Sequence, residues 1–150
     1  MHGELLIGFA ISLVNIAIHA IVMTPVTWSA RRARTLAQAA RPRLRVATVM
    51  IASVSVLMAA HYLEVGVWAA LYRALDVVPT DRDAFYFAFV NYATLGYGDI
   101  LPSQYWRLLG PITAMNGALL FGWSTAVIYD VLRNVARVIP EDVHRPGEET

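Results

Sequence analysis

Three long apolar stretches alternate with short polar ones along this chain. Leu5 to Pro25 is an apolar run interrupted by Asn15 and His19. At about 1.5 Å per helical residue it reaches roughly 30 Å, the thickness of a bilayer core. Val46 to about Leu75 forms a second run, carrying His61 and Glu64, and Arg107 to about Arg133 forms a third. Between the second and third, "DVVPTDRD" is a polar break in which Thr80 or Asp81 can cap a helix and Asp81 and Asp83 suit its positive end. That helix, residues 83–93, has length for only about 16 Å, too short to cross. It enters and stops halfway.

The pattern predicts an all-α membrane protein. A first transmembrane helix occupies 1–28, a basic linker 29–45, and a second unit 46–137, with a polar tail over 138–150. Within 46–137 the expected parts are a spanning helix (46–75), a short helix (83–93), a loop (94–99) and a further spanning helix (107–133).

Composition supports a membrane setting. The 150 residues are 57% hydrophobic and 15% charged, too little polar material to coat a soluble globule. "MHGE" lacks the positive n-region of a signal peptide, so the first run reads as a retained helix. Charge then orients the chain. There is no lysine, and six of the twelve basic residues, all arginine, fall between Arg31 and Arg45 with no acid among them. A basic run between apolar spans marks a cytoplasmic loop rather than a nucleic-acid site. The N-terminus is therefore expected outside and the C-terminus in the cytoplasm, with Arg31, Arg32 and Arg34 beside anionic lipids. This segment reads either as an interfacial helix ending near Pro42 or as a solvated loop. The absence of cysteine excludes thiolate metal sites.

The stretch "NYATLGYGDI", residues 91–100, then needs an explanation. Glycines at alternate positions open backbone angles closed to other residues and let successive carbonyls point the same way. Non-helical backbone at membrane depth is tolerated where it lines a water-filled path. Four copies around an axis would stack rings of oxygens that replace an ion's water shell, and the short helix would aim its negative end at the pore centre.

"TLGYGD" in this context resembles the selectivity filter of potassium channels, and span, short helix, filter, span is the order of their pore domain. The resemblance covers roughly 46–133 and implies that 46–137 is a pore domain, with 46–75 its outer and 107–133 its inner helix, and that the transmembrane helix over 1–28 is extra to it. It implies passive, potassium-selective conduction by a homotetramer, as in small two-span bacterial channels of the inner membrane, with no cofactor besides the permeant K+. By the resemblance, Thr94, Leu95, Gly96 and Tyr97 would coordinate K+, with Gly98 and Asp99 completing the outer mouth. Gly117 falls at the family's hinge glycine. Ala118, Phe121 and Thr125 share the face that lines the family's cavity, although helix packing explains their spacing equally. The chain departs from the family pattern at Ala93, at Val90 (which deprives Asp99 of a carboxylate partner) and at Tyr86 and Phe87 in place of a tryptophan pair.

His61 and Glu64 are three apart and can meet, as a filter-supporting or pH-sensing pair or as a structural one. His19 reads as a packing residue. Trp68, Tyr72 and Trp106 read as outer interfacial anchors, Trp28 as an inner one, and Asp130 as a partner of Arg133 or, less simply, as part of a carboxylate ring at the inner mouth. Other readings are a weakly selective cation channel, a non-conducting accessory subunit, and a membrane metalloenzyme using His19, His61 and Glu64. The chain has too few membrane carboxylates for the last.

Overall fold

The computed structural model describes residues 2–35 and 42–136. Four α-helices make up the described chain: α1 (His2–Thr35), α2 (Pro42–Ala74), α3 (Asp81–Tyr92) and α4 (Leu109–Ala136). A single 3₁₀ turn, Gln104–Trp106, precedes α4. Three of the helices are long and apolar enough to cross a membrane, over His2–Ser29, Leu44–Ala74 and Gln104–Val135.

The helix ends follow from local chemistry. α1 continues through Pro25 to Thr35, so its backbone carries the first arginines of the basic run. Pro42 stands at the first position of α2, where its missing N–H has no helical partner to lose. It begins a helix rather than ending one. The linker 36–41, the side chains of residues 30–43 and the tail beyond 136 lie outside the described residues, and with them the anionic-lipid contacts expected at Arg31, Arg32 and Arg34.

α2 ends in a left-handed residue, Asp76, at φ 47°. The Val77 amide reaches back to the Tyr72 carbonyl (2.9 Å) and the Asp76 amide to Arg73 (3.2 Å), which closes the helix. α3 starts at Thr80, whose hydroxyl accepts from the Asp83 amide at 3.1 Å and donates to the Asp83 carboxylate at 2.7 Å. The Ser103 amide donates to Val77 (3.1 Å), returning the chain to the end of α2 before α4 begins.

α1 packs chiefly on α4 and next on α2, while α3 lies between α2 and α4. α1 is thus fastened to the other spanning helices of its own chain. Glu4, nearly buried, accepts from the Leu108 amide at 3.2 Å, where the start of α4 offers unpaired N–H groups and a positive dipole end. Gly8 allows close approach, since a methyl group there would stand 2.8 Å from Ile112 Cδ1. One apolar cluster surrounds α3 and includes Trp68, Tyr72, Phe87 and Leu120. A second, nearer the other ends of the spans, joins Met23 and Val26 to Leu57, Val127 and Val131.

Three sequence-based expectations are corrected. Trp68 and Tyr72 are wholly buried and do not anchor at an interface, because their face of α2 is turned to α4. There the Trp68 indole N–H donates to Asn116 Oδ1 at 3.1 Å, and the Tyr72 hydroxyl pairs with that of Thr113. Asp130 accepts from Asn134 (3.0 Å), one turn on, and not from Arg133. His19, read as a packing residue, is a member of a buried polar cluster.

Candidate pore loop and the polar cluster at its base

The loop begins as the C-terminal cap of α3. The Thr94 amide donates to Asn91 (2.8 Å) and the Leu95 amide to Val90 (2.9 Å), the two crossed bonds of a Schellman motif. The position between them must be left-handed, and glycine is its usual occupant. Here it is Thr94, at φ 60°. A β-branched residue in that region is strained by about 1–3 kcal/mol, and such strain persists where the surroundings enforce it. Thr94→Gly is therefore expected to raise stability by about 1 kcal/mol, read as a higher thermal midpoint of the detergent-solubilised protein. An unchanged or lower midpoint would show that Thr94 is not strained.

Beyond Thr94 the sign of φ alternates. Gly96 (φ 56°) and Gly98 (φ 73°) are left-handed, whereas Leu95 and Tyr97 are not. Successive peptide planes in such an alternation turn their carbonyls to one side. Thr94, Leu95, Gly96, Tyr97, Gly98 and Asp99 are all exposed on the single chain. Asp99 has a partner that sequence reasoning missed: the Tyr86 hydroxyl donates to its carboxylate at 2.7 Å. Val90 gives Asp99 nothing, but its backbone carbonyl holds Leu95. Hydrogen bonding to Asp99 also holds the Tyr86 hydroxyl above the ordinary tyrosine range, so it stays a donor as the pH rises past that range. A hollow of about 160 Å³ lies behind the loop, bounded in part by Tyr86, Asn91 and Asp99.

Gly117 and Gly110, two turns apart on α4, face α3. A methyl group on Gly117 would collide with the Tyr92 carbonyl oxygen, and one on Gly110 would stand 3.1 Å from Asn91 Oδ1. Glycine at these places lets α4 touch the end of α3 directly. Ala118, Phe121 and Thr125 are exposed on the single chain. Phe121 also edges onto His61, with ring centroids 4.8 Å apart, and onto Tyr92 at 5.4 Å. Gly122 meets no atom of its own chain.

Beneath the loop, four helices contribute to one buried polar cluster. Glu64 of α2 is fully buried and accepts from His19 Nδ1 of α1 (2.8 Å), His61 Nδ1 (3.0 Å) and the Tyr92 hydroxyl of α3. Ser124 of α4 stands 2.9 Å from His61 Nε2 and 3.3 Å from His19 Nε2. One turn up, Asn15 donates to the Glu64 carbonyl and to Asn116 Oδ1, both at 3.2 Å. A carboxylate at membrane depth is costly unless paired and hydrogen-bonded, and here three side chains meet it. Glu64 does not reach Asp99. Its reach ends at Tyr92, at the foot of the short helix.

Sequence reasoning brought His61 and Glu64 together but missed Glu4, Asn15, Tyr92, Asn116 and Ser124. A signal was present. Asn15 and His19 are four apart, and Asn116 and Ser124 eight apart, so each pair marks one polar stripe inside an apolar span.

An ion channel family matches the chain over residues 60–134, from α2 through the loop to the end of α4. That is half of its length. The chain belongs to this ion channel family. It is a multi-pass membrane protein, an ion channel rather than an enzyme, with one apolar helix, α1, ahead of the matched region. No curated protein and no solved structure matches the chain.

Proposed function

We propose that this ion channel conducts potassium selectively and passively as a homotetramer, with Thr94–Asp99 as the filter. The observation that carries the reading is the left-handed backbone at Thr94, Gly96 and Gly98, in a stretch whose sequence is TLGYGD. That alternation suits a column of carbonyl oxygens able to replace the hydration shell of K+. Thr94, Leu95, Gly96 and Tyr97 would supply the oxygens, and Gly98 and Asp99 the outer mouth. One loop per chain cannot encircle an ion, so four copies around an axis are required. The exposed face of Ala118, Phe121 and Thr125 would line the cavity below. In this proposal the first loop and the C-terminus face the cytoplasm, as the arginines of the basic run indicate.

The test is ion flux into liposomes holding only the purified protein, first with a potassium gradient and then with sodium. Potassium flux well above sodium flux is the expected result. Equal rates would replace potassium selectivity with a general cation pore, the outcome favoured if Tyr86 supports Asp99 less rigidly than the family pattern does. No flux of either ion from a folded tetramer would leave an accessory subunit as the reading.

A further inference from the structure

The cluster beneath the filter offers more hydrogen-bond acceptors than it has hydrogens to fill them. Glu64 Oε1 and Oε2 face the Nδ1 atoms of His19 and His61. With both imidazoles neutral and the Tyr92 hydroxyl donating to Glu64, each Nδ1 carries the hydrogen given to the carboxylate, which leaves each Nε2 an acceptor. Both Nε2 atoms face a single hydroxyl, Ser124 Oγ, at 2.9 and 3.3 Å. That hydroxyl has one hydrogen. One ring nitrogen in a buried site is left without a donor, a deficit such sites rarely carry.

A cation on the Nδ1 side removes the deficit. If both Nδ1 lone pairs bind a metal ion, both Nε2 atoms carry hydrogen and donate to the two lone pairs of Ser124. Metal-bound histidines normally hold their second nitrogen in this way. We infer that His19, His61 and Glu64 form a binding site for a divalent transition-metal ion of the zinc type, with the Tyr92 hydroxyl as fourth donor and Ser124 holding both imidazoles.

The geometry fits. The donor atoms of His19, His61 and Glu64 all lie within 4.8 Å of one another, and Tyr92 Oη is 3.0 Å from His61 Nδ1. Tetrahedral zinc with bonds of about 2.0–2.1 Å sets its ligand atoms about 3.3 Å apart. The pairs at 2.8 and 3.0 Å need to open by a few tenths of an ångström, and the widest pair in the 4.8 Å cluster to close by about 1.5 Å, on binding. Two imidazoles, a carboxylate and a phenol also suit zinc better than calcium or magnesium, which take oxygen ligands. An apolar hollow of about 200 Å³, bounded by Met58, Tyr62, Phe89 and Phe121 among others, adjoins His61 and Tyr92 and provides an approach. Because the donors come from α1, α2 and α3, a bound ion clamps the additional helix to the foot of the short helix.

The test uses the full chain in detergent, stripped with a chelator and titrated with zinc against a chromophoric competitor. It reads binding whether or not the protein conducts. About one zinc per chain is expected, with a raised thermal midpoint. His19→Gln and Glu64→Gln should remove the binding, and Ser124→Ala should weaken it roughly tenfold. If a variant does not fold, X-ray absorption on the zinc-loaded wild type decides: a four-coordinate nitrogen and oxygen shell with two imidazoles supports the site. No zinc uptake by the wild type would overturn the proposal and leave an additional proton, shared by the histidines through Ser124, to fill the deficit. Uptake equal in the wild type, His19→Gln and Glu64→Gln would overturn it too, since the ion would then sit elsewhere.

Discussion

Potassium flux is expected to fall to background when Gly96 is replaced by alanine, while the protein's thermal midpoint stays near the wild-type value. Gly96 holds φ at 56°, where a side chain costs about 1–2 kcal/mol. Four subunits would contribute the strained residue to one ring, so the cost to the assembled filter is about 4–8 kcal/mol. A chain can relieve that strain by turning the neighbouring peptide planes, which takes their carbonyls off the common side. Within a single chain no atom lies within 4 Å of the new methyl group, so the backbone strain is the whole cost and no collision adds to it. The loss should therefore appear in conduction and not in folding. Gly66→Ala is the matched control, since Gly66 lies mid-helix in open space without a left-handed backbone, and alanine favours a helix. Wild-type flux in Gly96→Ala would remove the filter role from this residue. Flux lost together with the thermal midpoint would assign the effect to folding.

The second large effect is expected at Gly117, and it should be on stability. The family resemblance makes this position a hinge, whereas its surroundings make it a contact. A methyl group there collides with the backbone carbonyl of Tyr92 and stands 3.1 Å from the Tyr92 ring. A flexible side chain can move aside, but this carbonyl is held by α3 and by the Tyr92 hydroxyl bound to Glu64. Gly117→Ala should cost about 3 kcal/mol, at the upper end of overpacking, read as a lowered thermal midpoint in detergent. Gly122→Ala, on the same helix with no neighbour in its own chain, should leave the midpoint of the unassembled chain unchanged. If Gly117→Ala instead keeps its midpoint and alters only opening, the hinge reading stands and the contact is slack.

The contact at Gly117 involves the buried cluster, because Tyr92 touches both. Its backbone meets Gly117, and its hydroxyl meets the Glu64 carboxylate that also accepts from His19 of α1.

Much of the architecture was legible along the chain. Apolar runs of spanning length have one stable form in lipid, because backbone groups find no water there and must bond within a helix. The half-length helix followed from counting residues, a cap at Thr80 or Asp81 from the run "TDRD" (the structure uses Thr80), and the loop from glycines at alternate positions. The family followed from six consecutive residues in that setting. These are local or one-dimensional properties, and one sequence carries them completely.

What tertiary structure alone decided is which polar side chains inside the spans meet. Helical spacing places His61 beside Glu64 on one helix, but not the rotation of α1 that brings in His19, or of α4 that brings in Ser124. Trp68 and Tyr72 were misread for the same reason: an amphipathic ring suits a membrane interface and a buried hydrogen bond equally until its partner, Asn116 or Thr113, is known. Lipid adds to the ambiguity, since tails are as apolar as a protein core and a span's hydrophobicity does not say which face turns inward. Small residues and paired polar groups set that rotation. Gly8 against Ile112, Gly117 against Tyr92 and Glu4 against the Leu108 amide are pairings between distant parts of the chain, and only the packed helices select them.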